Sequence, residues 1–462
     1  MSDHHHDSEA THERGTLQTR RSFLRSTVLG AAASWTLPAF IDQTFLAMNA
    51  HAAQSATQIV TGTDGPILVV LQQAGGNDGL NMLPPWADDA YHAARPSLGI
   101  KADKALRLND YCGLHPSLTS LKSLYDEGHM GVIQGVGYPN PNRSHFRSTE
   151  IWQTAADSDR SKPYGWLGNY FDSCCQGAQP TVGVSIGGQM PQAFNSPHPT
   201  GVSFANPEQY RWIDDQKRGK GVANNEMTTE ERYFRQINAP GTLADGSEDP
   251  AGDGSIGAIS AGGASHASDL GSLDFLERTA LDAQLSSDKV LAIARKTKPG
   301  AVYPNSRLAD SLSLVARMIA GGLPTRVYYV SHGGYDTHQG QAPTHERLMK
   351  ELGDGLGAFC ADLKAQGNFN RVMVMTFSEF GRRVAQNASG GTDHGAAAPM
   401  FMLGGGVKPG LYGKYPSLTD LYQGDVKYNV DFRSVYATAL ERWLKVPSDK
   451  VLGRKFPLLP VV

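Results

Sequence analysis

The feature that most constrains the fold is an apolar run that ends abruptly on polar residues. Residues 371–377 (RVMVMTF) are largely apolar or β-branched, which is typical of a strand buried on both faces of a sheet. Ser378 and Glu379 follow at once. A carboxylate at the carboxyl end of such a strand lies where open α/β sheets bind ligands. We therefore expect Glu379 to belong to a binding site.

Similar apolar runs alternate with helical patterns along the chain. Strands are predicted at 66–71, 130–136, 181–186, 325–331, 371–377 and 399–403. Helices are predicted at 115–128, 145–155, 272–296, 306–320, 344–366 and 431–444. Strands separated by helices predict an α/β fold with a doubly wound, mainly parallel sheet flanked by helices.

Composition suggests how the chain is divided. We expect residues 54–462 to form a single α/β domain, because 462 residues with 40% hydrophobic content supply a sizeable core. Residues 240–272 are rich in Gly, Ala, Ser and Asp, so 190–272 is predicted to be an insertion or lid with a disordered segment. A net charge of -3 gives no basic field for nucleic acid, which we exclude as a partner.

The N-terminal 53 residues have the layout of an export signal. Arg20 and Arg21 are followed by Phe-Leu, a mildly apolar segment (28–40) and a small-residue site ending at Ala53. This order predicts a twin-arginine signal, recognition by the twin-arginine translocase, and a periplasmic or secreted mature protein. An amphipathic N-terminal helix is the alternative. Elsewhere no run reaches the roughly twenty apolar residues of a spanning helix, so no membrane span is expected in the mature chain.

The four cysteines give no metal or redox motif. Cys112, Cys174, Cys175 and Cys360 contain no CxxC spacing, so a thiolate zinc site is not expected. We expect the adjacent Cys174 and Cys175 not to pair readily with each other. One disulfide in an oxidising compartment is allowed but cannot be assigned. Cys360 lies in an apolar helical stripe and is predicted to be in the core.

Acids and imidazoles recur just after the predicted strands. Parallel strands would bring these side chains together at one sheet edge, while Asp393 and His394 reach it from a glycine-rich loop. Carboxylates combined with imidazoles predict one or two divalent metal ions, with zinc, manganese, calcium and magnesium all open. The predicted ligands are Asp78, Asp336, His338, Glu379, Asp393 and His394.

Each of these residues also has a purely structural interpretation. Asp78 could shape a turn, Asp336 and His338 an Asx turn, and Asp393 with His394 a hydrogen-bonded loop. Glu379 could form a solvated ion pair with Arg382 or Arg383. Ser144 is a natural helix cap, at a position where a helix dipole also favours a bound anion.

Nine motifs together resemble the exported bacterial family known as domain of unknown function 1501. They are TRRSFLR, LVVLQQAGGNDGLNMLPP, YHAARPSL, LHPSL, NRSHFRSTEIWQT, GGYDTH, TFSEFGRR, GGTDHG and DFRSVYATALERWL. That family is similar to the alkaline phosphatase and sulfatase superfamily. The resemblance implies that Ser144 is a nucleophile. It also implies that the metal ligands are Asp78, Asp336, His338, Glu379, Asp393 and His394.

Together these observations predict an exported metal-dependent hydrolase of a small phosphate or sulfate ester. Ser144, Arg143 and His145 are the candidate catalytic residues, with Arg143 or Arg147 stabilising the anionic group. The competing interpretation is a noncatalytic exported module that retains the fold for binding or envelope assembly.

Overall fold

One mixed sheet forms the centre of the fold. The computed structural model describes residues 65–175, 178–197, 201–209 and 286–462. All of them belong to one compact unit, Gln43–Trp212 with Ser260–Val462.

The strands are short except where they cross the core. They are β1 (Ile67–Ala74), β2 (Leu106–Arg107), β3 (Gly113–Leu114), β4 (Met130–Gly137), β5 (Gly183–Ile186), β6 (Val202–Phe204), β7 (Val327–Gly333), β8 (Val372–Phe377), β9 (Ala398–Gly404), β10 (Gly410–Tyr412), β11 (Leu421–Tyr422), β12 (Asp425–Val426) and β13 (Val430–Asp431). The main sheet has the order β10-β4-β9-β8-β1-β7-β5-β6, with β13 also paired to β4. β2 with β3 and β11 with β12 form separate antiparallel pairs.

The predicted mainly parallel sheet is confirmed, with one reversed strand. β1 pairs in parallel with β7 and β8, and β5 pairs in parallel with β6 and β7. β9, predicted only as a further short strand, runs antiparallel to both β4 and β8. Since β9 is reversed relative to both neighbours, β4 and β8 point the same way. Their carboxyl ends therefore lie at the same edge of the sheet as those of β1 and β7.

Helices cover the sheet on two sides. They are α1 (Gly79–Met82), α2 (Asp89–Ala94), α3 (Thr119–Asp126), α4 (His145–Thr154), α5 (Trp166–Cys174), α6 (Arg307–Ala320), α7 (Gln341–Ala365), α8 (Phe432–Thr438) and α9 (Ser448–Leu452). Residues 286–296 are also helical. Turns of 3-10 helix occupy Pro180–Val182, Gln192–Phe194, Pro207–Gln209 and Phe369–Arg371.

An aromatic stack anchors α4 and α8 to one face of the sheet. Trp152 of α4 stacks on Phe377 of β8 and on Phe432 of α8, with ring centroids 5.3 and 4.4 Å apart. Trp166 stacks in turn on Tyr436 at 4.3 Å. Large buried aromatic rings dominate the energetics of a core. This stack therefore fixes α4, whose first turn carries His145, relative to the end of β8.

The opposite face is covered by α3, α6 and α7, where α7 packs against both of the other helices. Side chains alternate between the faces along β1, so Leu68 and Val70 join the aromatic cluster while Val69 and Leu71 face the other way. All four are fully buried. The sheet is therefore covered on both faces, as its continuous apolar runs predict.

Several local predictions are corrected. The closing helix predicted over 431–444 is α-helical only to Thr438 and continues as a π-helix over Ala439–Trp443. The prediction that Cys174 and Cys175 do not pair is wrong, because the structure joins them in a disulfide. Cys112 and Cys360 are free and buried, which confirms the core position of Cys360.

Other predictions fall partly outside the described residues. The twin-arginine segment at 1–53 lies wholly outside them, as do residues 210–285 of the predicted insertion. Val202–Phe204, within that predicted insertion, forms the edge strand β6. The lid role of 190–272 and the single domain over 54–462 stay predictions. In the described part of the chain, no helix is long and apolar enough to cross a membrane.

Candidate metal centre

Four segments place acids and imidazoles at the carboxyl edge of the sheet. His145 begins α4 after β4, and Asp336 with His338 follows β7. Glu379 follows β8, and His394 lies in the loop that returns to β9. Because the carboxyl ends of β4, β7 and β8 meet at one edge, the sheet brings these residues together.

The carboxylate of Asp336 is the centre of the cluster. Its Oδ1 lies 3.1 Å from His338 Nε2 and 3.2 Å from His394 Nε2. Its Oδ2 lies 3.4 Å from His145 Nε2. His145, Asp336 and His394 each offer a ligand atom, all within 4.8 Å of one another. Three imidazole nitrogens thus face one carboxylate.

The remaining ring nitrogen of each histidine has its own acceptor. His145 Nδ1 lies 2.9 Å from Glu379 Oε1, and His338 Nδ1 lies 3.3 Å from Asp393 Oδ1. His394 Nδ1 donates to the carbonyl oxygen of Arg143 at 2.8 Å. A carbonyl only accepts, so Nδ1 of His394 carries a proton, and Nε2 is the nitrogen that faces Asp336. Metal-binding histidines are held in this way, by a carboxylate or carbonyl on the nitrogen away from the ion.

Two features of the cluster fit a bound cation. His338 Nε2 and His394 Nε2 lie 2.9 Å apart, where two lone pairs would repel unless a proton or a metal ion lay between them. His145 Nε2 is buried without a hydrogen-bond partner, since its approach to Asp336 is close but poorly aligned for a hydrogen bond. Ligand atoms about 2.1 Å from one ion lie roughly 3.0–3.4 Å apart, close to the separations found here.

The buried side chain of Arg382 holds the carboxylate of Asp336 in place. Its buried guanidinium donates to Asp336 Oδ1 at 2.8 Å and to the carbonyl oxygens of Gly76, Tyr335 and Thr392. Burial alone would raise the pKa of Asp336, but the hydrogen bonds from Arg382 and His394 outweigh it and hold that pKa at about 2. Asp336 is therefore ionised at neutral pH. With 47% of its side chain exposed, it is also reachable from solvent.

Glu379 is buried rather than solvated. Its side chain is 2% exposed, and Oε1 accepts from the backbone N–H of Gly75 at 2.8 Å as well as contacting His145. The interpretation of Glu379 as a solvated ion pair is therefore wrong. The carboxylate instead orients the imidazole of His145.

Asp78 belongs to a separate, buried hydrogen-bond network. Its carboxylate accepts from Arg95 Nη1 at 2.6 Å and from Gln341 Nε2, and it caps α1 through the N–H of Asn81. Burial would raise the pKa of Asp78, but the charge and hydrogen bond of Arg95 hold it below its usual range. These partners engage the carboxylate that the sequence suggests as a metal ligand.

Gln341 links that network to the loops that carry the histidines. Its Oε1 accepts from Thr392 Oγ1 at 2.6 Å and from Thr337 Oγ1 at 3.1 Å. Thr337 lies between Asp336 and His338 in the chain. Gln341 therefore ties both loops to Asp78 through one fully buried side chain.

The structure places three further residues predicted to act on the ester, Ser144, Arg143 and Arg147, in different surroundings. Ser144 occupies the N-cap position of α4 and is exposed, but its side chain makes no capping hydrogen bond, contrary to the cap expected. Arg143 donates to Asp425 Oδ2 at 2.6 Å, and Arg147 pairs with Glu150 at 2.7 Å. Both guanidinium groups therefore already have a carboxylate partner.

The sequence did not indicate Gln341 or Arg95 as parts of this region. It indicated Arg382 only as an ion-pair partner of Glu379, whereas the structure pairs Arg382 with Asp336. Nothing local distinguishes Gln341 or Arg95, whose partners are set by the tertiary fold.

Comparison with known families identifies the chain at family level. The family model described as "Protein of unknown function (DUF1501)" matches residues 67–458. The chain belongs to this family. The membership expected from the sequence motifs is thus confirmed. No curated protein sequence matches this DUF1501 chain.

Solved structures similar to this DUF1501 protein include sulfatases and alkaline phosphatase superfamily members. PsFucS1 sulfatase from Pseudoalteromonas sp. is 12% identical, with a TM-score of 0.34 over 92% of this chain and 75% of that one. An alkaline phosphatase superfamily protein from Vibrio parahaemolyticus is 10% identical, with a TM-score of 0.32 over 81% and 70%. The lipoteichoic acid synthase LtaP from Listeria monocytogenes is 9% identical, with a TM-score of 0.31 over 80% and 73%.

Proposed function

We propose that this DUF1501 protein is an exported hydrolase that uses a divalent metal ion to cleave a phosphate or sulfate ester. The observation that carries the proposal is the convergence of three imidazole Nε2 atoms on the carboxylate of Asp336, each within 3.4 Å of one of its oxygens. In this proposal His145, His338 and His394 join Asp336 as the ligands. A divalent ion held there would polarise the ester and lower the pKa of attacking water.

The carboxylates around the ligands have a supporting role in this proposal. Glu379 and Asp393 hold the rings of His145 and His338 by their Nδ1 atoms, which leaves each Nε2 free to bind. Loss of such an outer carboxylate weakens metal affinity by about 10–100-fold in comparable sites. Neither residue is expected to touch the substrate.

Ser144 is the proposed nucleophile, with water as the alternative. Its hydroxyl is exposed, is not used as a cap, and precedes the ligand His145. The N-terminus of the ten-residue helix α4 favours an anion at this position, where a phosphate or sulfate group would lie. Attack by Oγ would form a new bond to phosphorus or sulfur, release the alcohol, and leave an ester on Ser144 for water to hydrolyse.

The test combines metal analysis with a panel of phosphate and sulfate esters. We expect purified protein supplied with Zn²⁺ or Mn²⁺ to turn over at least one ester, and chelation to abolish the activity. Glu379→Gln should lower both metal affinity and turnover. Glu351→Gln is the matched control, because Glu351 likewise lies 3.0 Å from a histidine nitrogen, that of His332, outside the cluster. Equal effects of the two substitutions would refute the proposed role of Glu379.

The noncatalytic module is the second candidate, and one observation favours it. Arg143 and Arg147, the arginines suggested to hold the anion, already pair with Asp425 and Glu150. A module of this kind would show no turnover of any ester in the panel at saturating metal. Turnover that is lost in Ser144→Ala or Asp336→Asn would exclude it.

A further inference from the structure

A large open cleft lies at the same edge of the sheet as the proposed metal centre. Its volume is about 570 Å³, and it is lined in part by Gly137 at the end of β4 and by Pro139 and Pro141 in the loop to α4. Ala396, two residues after His394, lines it as well. Two of the segments that form the cleft therefore lead directly into metal-centre residues. This volume lies within the roughly 300–1,000 Å³ typical of small-molecule sites.

A tight hairpin forms another wall of the cleft. β11 and β12 are joined by Gln423 and Gly424, whose φ angles are +54° and +86°. Two positive φ angles are the signature of the hairpin turn that matches strand twist, but a glutamine there is unusual and strained. Arg143 holds the hairpin, donating to Gln423 Oε1 at 3.3 Å and to Asp425 Oδ2. The carbonyl of the same arginine accepts from His394.

Two exposed aromatic rings line the cleft. The described residues include five large apolar side chains that are strongly exposed: Phe146, Tyr164, Val302, Tyr422 and Tyr428. Tyr422 and Tyr428, at 46% and 37% exposure, line the cleft, and Phe146 follows the ligand His145 directly. Exposed aromatic rings gathered at a concave surface mark a binding site rather than a packing defect.

We propose that this cleft binds the alcohol part of the ester substrate and that this part is a sugar ring. The inference rests on the proposed function, which places the phosphate or sulfate group at the metal centre. A phosphate or sulfate group alone would leave a cleft of this size empty. Tyr422 and Tyr428 supply flat faces for the carbon-bound hydrogens of a ring, and exposed Asn140 supplies hydrogen bonds for hydroxyl groups. Lys427 also lines the cleft, where its ammonium group pairs with Asp420. Among the described residues no carboxylate lines the cleft, so none of them repels an anionic ester there.

The test compares sugar esters with esters of the same head group on a small alcohol. Hexose 6-phosphates and 6-sulfates should be cleaved with a lower KM than ethyl phosphate and ethyl sulfate. Tyr422→Ala and Tyr428→Ala should each raise KM for the sugar esters about 3- to 10-fold, the loss of one aromatic contact, and leave the ethyl esters unchanged. Tyr422→Phe keeps the ring and should retain most of the affinity. Tyr164→Ala is the control, because Tyr164 is 40% exposed but does not line the cleft.

A binding measurement keeps this test independent of catalysis. Saturation-transfer NMR with methyl glucoside, methyl galactoside and methyl mannoside should show contact with wild-type protein and loss of that contact in the Tyr422→Ala/Tyr428→Ala double variant. Absence of turnover together with glycoside binding would overturn the proposed hydrolase activity but support the cleft as a sugar-binding site. Two outcomes would overturn the sugar assignment: equal losses for ethyl and sugar esters, or no glycoside binding.

Discussion

Replacing Gln341 by leucine tests whether the buried network around Asp78 positions the ligands of the proposed metal centre. The substitution keeps the side-chain size but removes the bonds to Asp78, Thr337 and Thr392. The bond to Asp78 involves a charged group, and the bonds to Thr337 and Thr392 involve buried hydroxyls. Asp78 keeps its pairing with Arg95, so we expect a loss of about 2–4 kcal/mol in the free energy of unfolding rather than complete unfolding. Urea denaturation of the metal-free protein measures this change in the free energy of unfolding.

The more specific consequence concerns metal affinity. Thr337 and Thr392 belong to the loops that carry His338 and His394, so their release should allow the ligand atoms to drift apart. We expect Zn²⁺ affinity, measured by competition with a chelator, to fall about 10–100-fold, as it does when outer contacts of metal ligands are removed.

A matched substitution separates positioning from stability. Gln366→Leu also removes a glutamine that donates to a carboxylate, that of Asp362 at 2.7 Å, at the other end of α7. It should lower stability and leave metal affinity unchanged. If Gln341→Leu binds Zn²⁺ as tightly as wild type does, the network has no role in positioning the ligands.

Two further predictions concern a buried histidine and a crowded glycine. Burial lowers the pKa of His345 to about 4, so the unfolded chain binds more protons than the folded one between about pH 6.5 and 4, and stability falls as pH falls through that window. His345→Gln should remove about 2 kcal/mol of the loss seen in wild type between pH 7.5 and pH 5, as measured by urea denaturation at both values; an unchanged difference contradicts the assignment. The charged and titratable groups facing His345 are His115, Asp78, Arg95 and Arg382. Gly391→Ala would place a Cβ 2.2 Å from the carbonyl carbon of His338, so it should displace that loop and weaken Zn²⁺ binding more than Gly367→Ala, whose added Cβ meets nothing within 4 Å; equal Zn²⁺ affinities would show that the loop tolerates the change.

The elements of this fold and much of its site follow from local sequence patterns. Apolar runs ending on polar residues located β1, β4, β7 and β8, and the rule that parallel strands share a carboxyl edge predicted that His145, Asp336, Glu379 and His394 belong to one region. That inference needs only strand direction and spacing, which the sequence carries.

What could not be predicted depends on contacts between distant segments. Asp78 was as good a ligand candidate as Asp336 by position, and its engagement by Arg95 and Gln341 became visible only in the structure. The reversal of β9 is a similar case, since a short apolar strand does not encode its direction. Glu379 was placed correctly at the edge, but its burial behind His145 depends on how α4 packs on β8.

Titration of the metal-free protein with Zn²⁺ and Mn²⁺, followed by X-ray absorption spectroscopy of the loaded protein, tests the central claim most directly. We predict binding of at least one of these ions, with imidazole scattering from His145, His338 and His394, and loss of that binding in Asp336→Asn. Failure of wild-type protein to bind either ion, or binding that Asp336→Asn leaves unchanged, would contradict it.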